Sequence, residues 1–405
     1  MHILYHHRTQ GRSVEGVHIR GLVGGLVSLG HDVEVMSVSR SLDAADVLAE
    51  ESADVNGTGS SRSGDWLKWF AAHSPELVFE LLELLFNVYA GWRIAAAVRR
   101  RRPDVIYERY ALFLFVTTWL ARRYDIPIVL EVTDSAVVER VRPLGLRGLA
   151  ALIERSVFRR ATGLVFVSSA FRDLCKEAHG DLAPAIVAPN CADASRFDRD
   201  RHDRDGVRKR LGLDGKVVCG YVGAFVAWHG IDWFVRDIAA RLGEQPDLVL
   251  LLVGDGRVYD ETRAVVQRVG ATGQVVFTGR VSHRNVPDYI AAMDYAVLPD
   301  SNTYGSPMKL FELMSMQVAV VAPDYPPVRE VIEDGRTGWL FPAGDHAACI
   351  ERVFEIARDG AARGTAGRAA AAYIRAERQW SHNAADMLAL ATSSARQPTP
   401  ATTRA

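Results

Sequence analysis

Short β-branched runs alternate with helix-compatible stretches along this chain, and that alternation restricts the possible folds more than any other feature. The runs are Ile3–Tyr5, Val33–Val38, Val105–Tyr107, Ile128–Val132, Leu164–Val167 and Ile186–Ala188, then Val217–Val222, Leu248–Val253, Val275–Phe277, Tyr295–Leu298 and Val318–Val321. Strands joined by helical crossovers build parallel sheets, so the class is α/β. A charge-dense interval, DRDRHDRD at 198–205, splits the series. Two open α/β domains in tandem are expected, 1–200 and 210–375. A helix at 376–392, containing Trp380, is expected to cross back to the first domain, and a tail at 393–405, mostly Ser, Thr, Pro and Ala, is read as disordered.

The 48 Lys and Arg against 49 Asp and Glu leave a net charge of -1, which offers no global field for nucleic acid. Cys175, Cys191, Cys219 and Cys349 lie far apart without metal-ligand spacing and read as buried thiols in a reducing compartment. The start, MHILYHHRTQ, lacks the basic, apolar and small-residue succession of a secretory signal, so a cytoplasmic location is expected. The most apolar run, Tyr110–Ala121, is shorter than the roughly 20 residues a spanning helix requires.

Asp43–Asp65 ends rich in Gly, Ser and Asp and reads as a flexible loop, followed by a helix over 75–102. That helix carries Leu77, Leu81, Leu84, Leu85 and Val88 on one broad side and ends at Arg99–Arg102. Two readings stand: a core-packing helix with cations at its C-terminus, or a peripheral helix at the inner face of an anionic membrane.

Ligands of open parallel sheets bind beyond the carboxyl ends of the strands, which directs attention to the residues just after each run. The first is followed by TQGRSVEGVH, read as a glycine loop that includes Gly16 and opens onto a helix of small residues. Gly223, Gly254 and Gly256 follow runs in the second half, where each permits close backbone approach to a ligand or simply a turn. In SNTYGSPMKLFELM, proline favours a helix start near Pro307. Lys309 and Glu312 are then neighbours on that helix, a cation for a diphosphate beside a carboxylate for sugar or ribose hydroxyls; an exposed ion pair is the plainer alternative. Glu108 and Arg109 end a strand as acceptor-side candidates or a surface ion pair. His6, His7 and His18 cluster near the first loop without a carboxylate at metal-ligand spacing, so no metal site is assigned.

Taken in order, GHDVEVMSV, LVFVSSAFRDL…APN, GYVGAFVAWHG, VGDG…VVFTGRVSHRNVPDYIAAMDYAVLPD and SPMKLFELMSMQVAVVAPDYPPVREVIEDGRTGWLFPAGD resemble the retaining family-four glycosyltransferases of GT-B fold. The resemblance spans most of the chain. It implies two Rossmann-like parallel-sheet domains facing across a cleft, a nucleotide-sugar donor (UDP or GDP) on the C-terminal domain, a hydroxyl acceptor on the N-terminal one, no cofactor and no obligatory metal. It further implies that Glu312 binds the donor ribose, that Arg280 and Val281 lie near the base, and that Ser306, Pro307 and Met308 present backbone to sugar and phosphate. Against the family pattern, Tyr304 stands where a first glutamate is usual, and Ala227-Trp228-His229 replaces a basic pair, leaving Lys309 and His229 as candidate diphosphate cations. Thr133 stands where a histidine is often found, which leaves Asp134 or Glu131 to orient the acceptor, with His18, Glu108 and Arg109 on the same side. The reaction expected is sugar transfer with retention, as in glycan, polysaccharide or glycosylated-metabolite synthesis. A nucleotide-sugar epimerase of the same fold and a non-catalytic nucleotide-sugar-binding protein are the alternatives.

Overall fold

The computed structural model describes residues 1–9, 14–38, 41–49, 76–138 and 143–394. They fall into two compact units, Met1–Ala188 with Trp380–Ala405, and Pro189–Gln379. The second unit thus starts at Pro189, before the charged interval at 198–205 rather than after it. Just before that interval Phe197, 3% exposed, is part of the unit's core. Arg204 at its end and Arg208 just beyond it grip Asp294 at 2.6 and 3.3 Å.

The first unit holds β1 (His2–His6), β2 (Asp32–Met36), β3 (Ser41–Asp43), β4 (Val105–Arg109), β5 (Ile128–Val132), β6 (Gly163–Phe166) and β7 (Ala185–Val187). They form a sheet in the order β3-β2-β1-β4-β5-β6-β7, parallel except for the β2/β3 pair. β1 and β5 are buried at every position, as strands covered on both faces must be. The helices are α1 (Val14–Ser28), α2 (Ala44–Ala49), α3 (Glu76–Arg100), α4 (Val116–Arg123), α5 (Arg147–Arg160) and α6 (Ser169–His179). The final helix, Trp380–Ser394, also lies in this unit and packs on α1.

Small residues in α1 allow that contact. A Cβ on Gly21 would stand 2.3 Å from the Trp380 ring, and one on Gly25 2.5 Å from the Trp380 carbonyl oxygen. Gly16, expected in a loop, lies in the first turn of α1, because that helix already begins at Val14. The loop positions 10–13 are outside the described residues. Of the stretch expected as a flexible loop, Ala44–Ala49 is helical and 50–65 is outside the described residues. Of the expected tail, Ser393 and Ser394 end the last helix, and 395–405 are likewise outside.

The two halves of α3 pack differently: Ala90, Ile94, Ala97 and Val98 of its second half are buried in the core, whereas its first half is turned opposite to a core-packing helix. Its polar residues face the unit: Glu80 accepts from the Gly145 and Leu146 N–H groups, both at 2.7 Å, and Glu83 pairs with Arg8. Asn87 Oδ1 accepts from Phe115 N and Val116 N at 2.9 and 3.0 Å, capping the start of α4. The leucine side faces outward instead, with Leu77, Leu81 and Leu85 each more than half exposed. By length and composition α3 is apolar enough to cross a membrane, with a mean hydropathy of 1.3. Among the described residues it is the one helix of that length and composition.

The second unit holds β8 (Val217–Val222), β9 (Leu248–Val253), β10 (Val275–Gly279), β11 (Tyr295–Val297), β12 (Val320–Pro323) and β13 (Gly338–Phe341), in the parallel order β10-β9-β8-β11-β12-β13. The helices are α7 (Arg204–Leu211), α8 (Ile231–Ala239), α9 (Tyr259–Arg268), α10 (Val286–Ala291), α11 (Met308–Ser315), α12 (Pro326–Arg329), α13 (His346–Arg358) and α14 (Gly360–Glu377). Alternation along a strand divides the core into two layers. In β9, Val249, Leu251 and Val253 join the layer of Phe311 and Ile374. Leu248, Leu250 and Leu252 join that of Phe234 and Phe354 on the other face. The strand order changes direction between β8 and β11, where doubly wound sheets bind ligands.

Candidate functional site

At that switch point the turn after β8 meets the first turn of α11. Pro307 precedes α11 in extended conformation and supplies no side-chain cap; Leu310 N–H donates to the Pro307 carbonyl at 3.0 Å, and the N–H groups of Met308 and Lys309 lead the helix. Lys309, in that first turn, reaches back toward β8. Its Nζ is buried without a hydrogen-bond partner and lies 5.2 Å from the centroid of the Tyr221 ring. Burial lowers its pKa to about 8, against the opposing charge of Glu312.

Gly223 makes room for this arrangement. Its φ is +151°, and a Cβ would stand 2.7 Å from Lys309 Nζ and 3.2 Å from the Tyr221 hydroxyl. Gly254 and Gly256, expected as ligand-approach or turn positions, both sit where neighbouring backbone comes close. The space beside Gly254 is filled by the Gly223 carbonyl, 2.0 Å from where a Cβ would be, and that beside Gly256 by the Phe225 backbone. Both glycines let neighbouring loops pack backbone on backbone.

His229 is a neutral neighbour, not a second cation. Its Nδ1–H donates to the Ala224 carbonyl at 2.8 Å, and burial together with the Lys309 charge lowers its pKa to about 4. Trp228 packs beside it, ring centroids 3.9 Å apart. One positive side chain therefore remains beside the turn: Lys309.

Glu312, one helical turn on, is 7% exposed and accepts from His283 Nε2 at 2.8 Å. His283 was not among the sequence candidates; its only signal is a position just beyond the β10 end. Ser306 is held by Asn190, whose backbone N–H donates to Ser306 Oγ at 3.0 Å and whose Nδ2 donates to the Ser306 carbonyl at 2.5 Å. Asn302 Oδ1 accepts from Tyr304 N at 3.3 Å and from Gly305 N, shaping the turn before Pro307. Arg280 points to solvent, its side chain 83% exposed and paired with Asp255 at 3.1 Å, while Val281 packs against the core. Met308 is half-buried at the helix start.

In the first unit, α1, β4 and β5 contribute side chains to a hydrogen-bonded cluster. His18 Nε2 donates to Glu131 Oε1 at 3.1 Å, and Arg109 Nη1 donates to Glu131 Oε2 at 3.1 Å and to His18 Nδ1 at 3.2 Å. Tyr107 donates its hydroxyl proton to the same carboxylate at 3.2 Å. An imidazole accepting from a guanidinium must be neutral at that nitrogen, and burial accordingly lowers the His18 pKa to about 4. Three sequence candidates, His18, Arg109 and Glu131, are thus brought together. Glu108 is not with them: adjacent strand residues point to opposite faces, and it is wholly buried against His6 Nδ1 at 2.5 Å. His6, His7 and His18 have different partners, His7 meeting the Thr9 hydroxyl at 3.2 Å. Among the described residues no group of three or more His, Cys, Asp or Glu is disposed to hold a metal.

Asp134 lies just past β5 and accepts from Ser135 N at 2.9 Å. The loop around it is fixed by Glu154, fully buried, which accepts from Ser135 Oγ at 2.6 Å, Ala136 N at 2.9 Å, Tyr110 OH at 3.1 Å and His179 Nε2 at 2.6 Å. Glu154 was missed from sequence, although Ala150, Val157 and Phe158 at helical spacing put it on a buried face.

Comparison with known proteins agrees with this architecture. A family model described as glycosyl transferase 4-like domain matches residues 15–191, and one described as glycosyl transferases group 1 matches 216–359. The alpha-D-kanosaminyltransferase of Streptomyces kanamyceticus is 26% identical over 249 residues, 58% of this chain and 63% of that protein. The GDP-mannose-dependent alpha-(1-6)-phosphatidylinositol monomannoside mannosyltransferase of Mycobacterium tuberculosis is 29% identical over 251 residues, 58% of this chain and 64% of the other. The matched stretches span less than two thirds of either relative. The crystal structure of Anabaena HepE in complex with UDP superposes with a TM-score of 0.70 over 97% of this chain and 100% of that one, at 17% identity. The chain belongs to the family-four (group 1) glycosyltransferases and has their GT-B fold.

Proposed function

We propose that this chain transfers a sugar from a UDP- or GDP-sugar to a hydroxyl acceptor, with retention of the anomeric configuration. The observation that carries the reading is Lys309: a buried ammonium without a hydrogen-bond partner, in the first turn of an uncapped helix at the sheet's switch point. Breaking the sugar–phosphate bond leaves negative charge on the departing diphosphate. A preorganised cation and helix N–H groups aimed at that charge lower the barrier. The bond from the anomeric carbon to the phosphate oxygen breaks as the acceptor oxygen bonds to the same face of that carbon. The acceptor's proton passes to the departing phosphate oxygen, so the chain need supply no nucleophile.

In this reading Glu312, oriented by His283, accepts from the donor ribose hydroxyls, and Ser306, held by Asn190, presents backbone to the sugar and phosphate. The Arg109–Glu131–His18 cluster and Asp134 hold the acceptor. UDP in the HepE crystal and GDP-mannose in the mycobacterial relative's name support a nucleotide-sugar donor. Purified chain incubated with UDP- and GDP-sugars tests the reading by slow hydrolysis of one donor class, followed by NMR of the anomeric proton. Hydrolysis that Lys309→Met abolishes supports it; nucleotide release that is indifferent to Lys309 refutes it.

A further inference from the structure

From Leu77 to Trp92, α3 presents to water a row of apolar side chains that a water-facing helix normally buries. Glu80, Glu83 and Asn87 are fixed to the protein, while Val88 is 75% and Trp92 71% exposed. The apolar surface continues over the neighbouring helices, where Trp119 of α4 is 62% and Leu152 of α5 66% exposed. Between them lies a groove of about 870 Å³ that is also lined by Leu84 and Phe115 and edged by Arg122, Arg123 and Arg160. An apolar patch spanning three helices is costly to leave in water, so something covers it.

Charge selects the occupant. Among the described side chains of these helices the carboxylates, Glu80, Glu83 and Glu154, are buried, whereas the charged residues at the groove are arginines. A second copy docked face to face would bring arginine against arginine. A bilayer with anionic headgroups suits both halves of the surface: apolar side chains at the acyl boundary, Trp92 and Trp119 at the interface, guanidinium groups on phosphates. The inward face of α3 is hydrogen-bonded to its own unit, so the helix lies on the membrane rather than across it. We propose that the α3–α4–α5 face of the first unit docks on an anionic lipid surface. This surface is independent of the donor-site reading, and either can fail alone.

Sedimentation of the full chain with phosphatidylcholine vesicles, alone or mixed with phosphatidylglycerol, tests the proposal. Binding to the mixed vesicles is expected, with weaker binding to phosphatidylcholine alone and loss at high salt. Trp119→Glu with Leu152→Glu should lower binding on the order of tenfold or more, since both remove apolar contact from the acyl boundary. Arg122→Glu with Arg123→Glu should lower it on the order of tenfold or more for the mixed vesicles only. Both pairs lie on exposed positions, so thermal unfolding and solution-phase donor hydrolysis should match wild type. No binding to the mixed vesicles overturns the proposal, as does binding that both double variants retain. A solution dimer dissolved by Trp119→Glu would assign the face to a second copy and equally overturn it.

Discussion

Lys309 Nζ stands 5.2 Å from the centre of the Tyr221 ring, buried, with no hydrogen-bond partner among the described residues. A ring face offsets part of the cost of burying an ammonium, about 0.5–2 kcal/mol, but not all of it. The shortfall can be met by an anion arriving at the same place. A site arranged this way gives up stability in the free protein and recovers it on binding.

The first prediction follows directly. Lys309→Met removes the buried charge and keeps the side chain's length, so the free protein should gain about 1–3 kcal/mol, since an unpaired polar group is no longer buried. Donor turnover should fall roughly 10²–10³-fold with loss of a charge-stabilising group. Thermal unfolding and kcat/KM measured on the same preparation check both signs. A destabilised variant with intact turnover would contradict the role.

pH acts on the same ammonium. With its pKa lowered to about 8, Lys309 is charged below that value and loses its proton as pH rises through it. Nucleoside diphosphate affinity should therefore decline above about pH 8. Stability should move the other way: between about 8 and the ordinary 10.5 the unfolded chain binds more protons, so stability rises with pH. The burial penalty is present in full below that window. Calorimetric unfolding across it should show this slope in wild type and its absence in Lys309→Met.

Two glycines separate a ligand effect from a packing effect. Gly223→Ala would press a Cβ to 2.7 Å from Lys309 Nζ, the end of a flexible side chain that can move. Donor KM should rise roughly tenfold, as expected for about 1.4 kcal/mol of lost binding, beside a stability cost of about 1–3 kcal/mol from the strained φ of +151°. Gly254→Ala meets the Gly223 carbonyl at 2.0 Å, a backbone atom that cannot yield, so the main loss should be stability. Melting temperature and donor KM of the two variants decide; identical profiles would count against the distinction.

Glu312 and His283 should behave as a holder and its support. Glu312→Ala is expected to weaken UDP or GDP binding by about 1.5–3 kcal/mol, the range for a charge-assisted hydrogen bond. His283→Ala should cost less, because the carboxylate stays in place but loses the donor that fixes it at 2.8 Å. Titration calorimetry reads both. Unchanged affinity in Glu312→Ala removes the ribose role.

The sheet architecture was legible because parallel strands are buried on both faces and so appear as unbroken apolar runs, LVLLLV in β9 being the plainest. Lys309 and Glu312 were legible as neighbours because helical spacing is local. Their partners were not: Tyr221 comes from β8 and His283 from beyond β10, contacts made only when the strands are assembled. Nor could His229 be separated from Lys309 as a cation until the Ala224 carbonyl was seen to hold its Nδ1–H. For α3, spacing grouped the leucines on one side but said nothing of which side meets protein. That was decided by Gly145, Leu146, Phe115 and Val116, far away in sequence, whose N–H groups donate to the side-chain oxygens of Glu80 and Asn87.

A crystal structure of the chain with bound UDP or GDP bears most directly on the central assignment. The account predicts a diphosphate oxygen within hydrogen-bond distance of Lys309 Nζ and facing the leading N–H groups of α11. A diphosphate seated elsewhere, with Lys309 still resting on the Tyr221 ring, would contradict it.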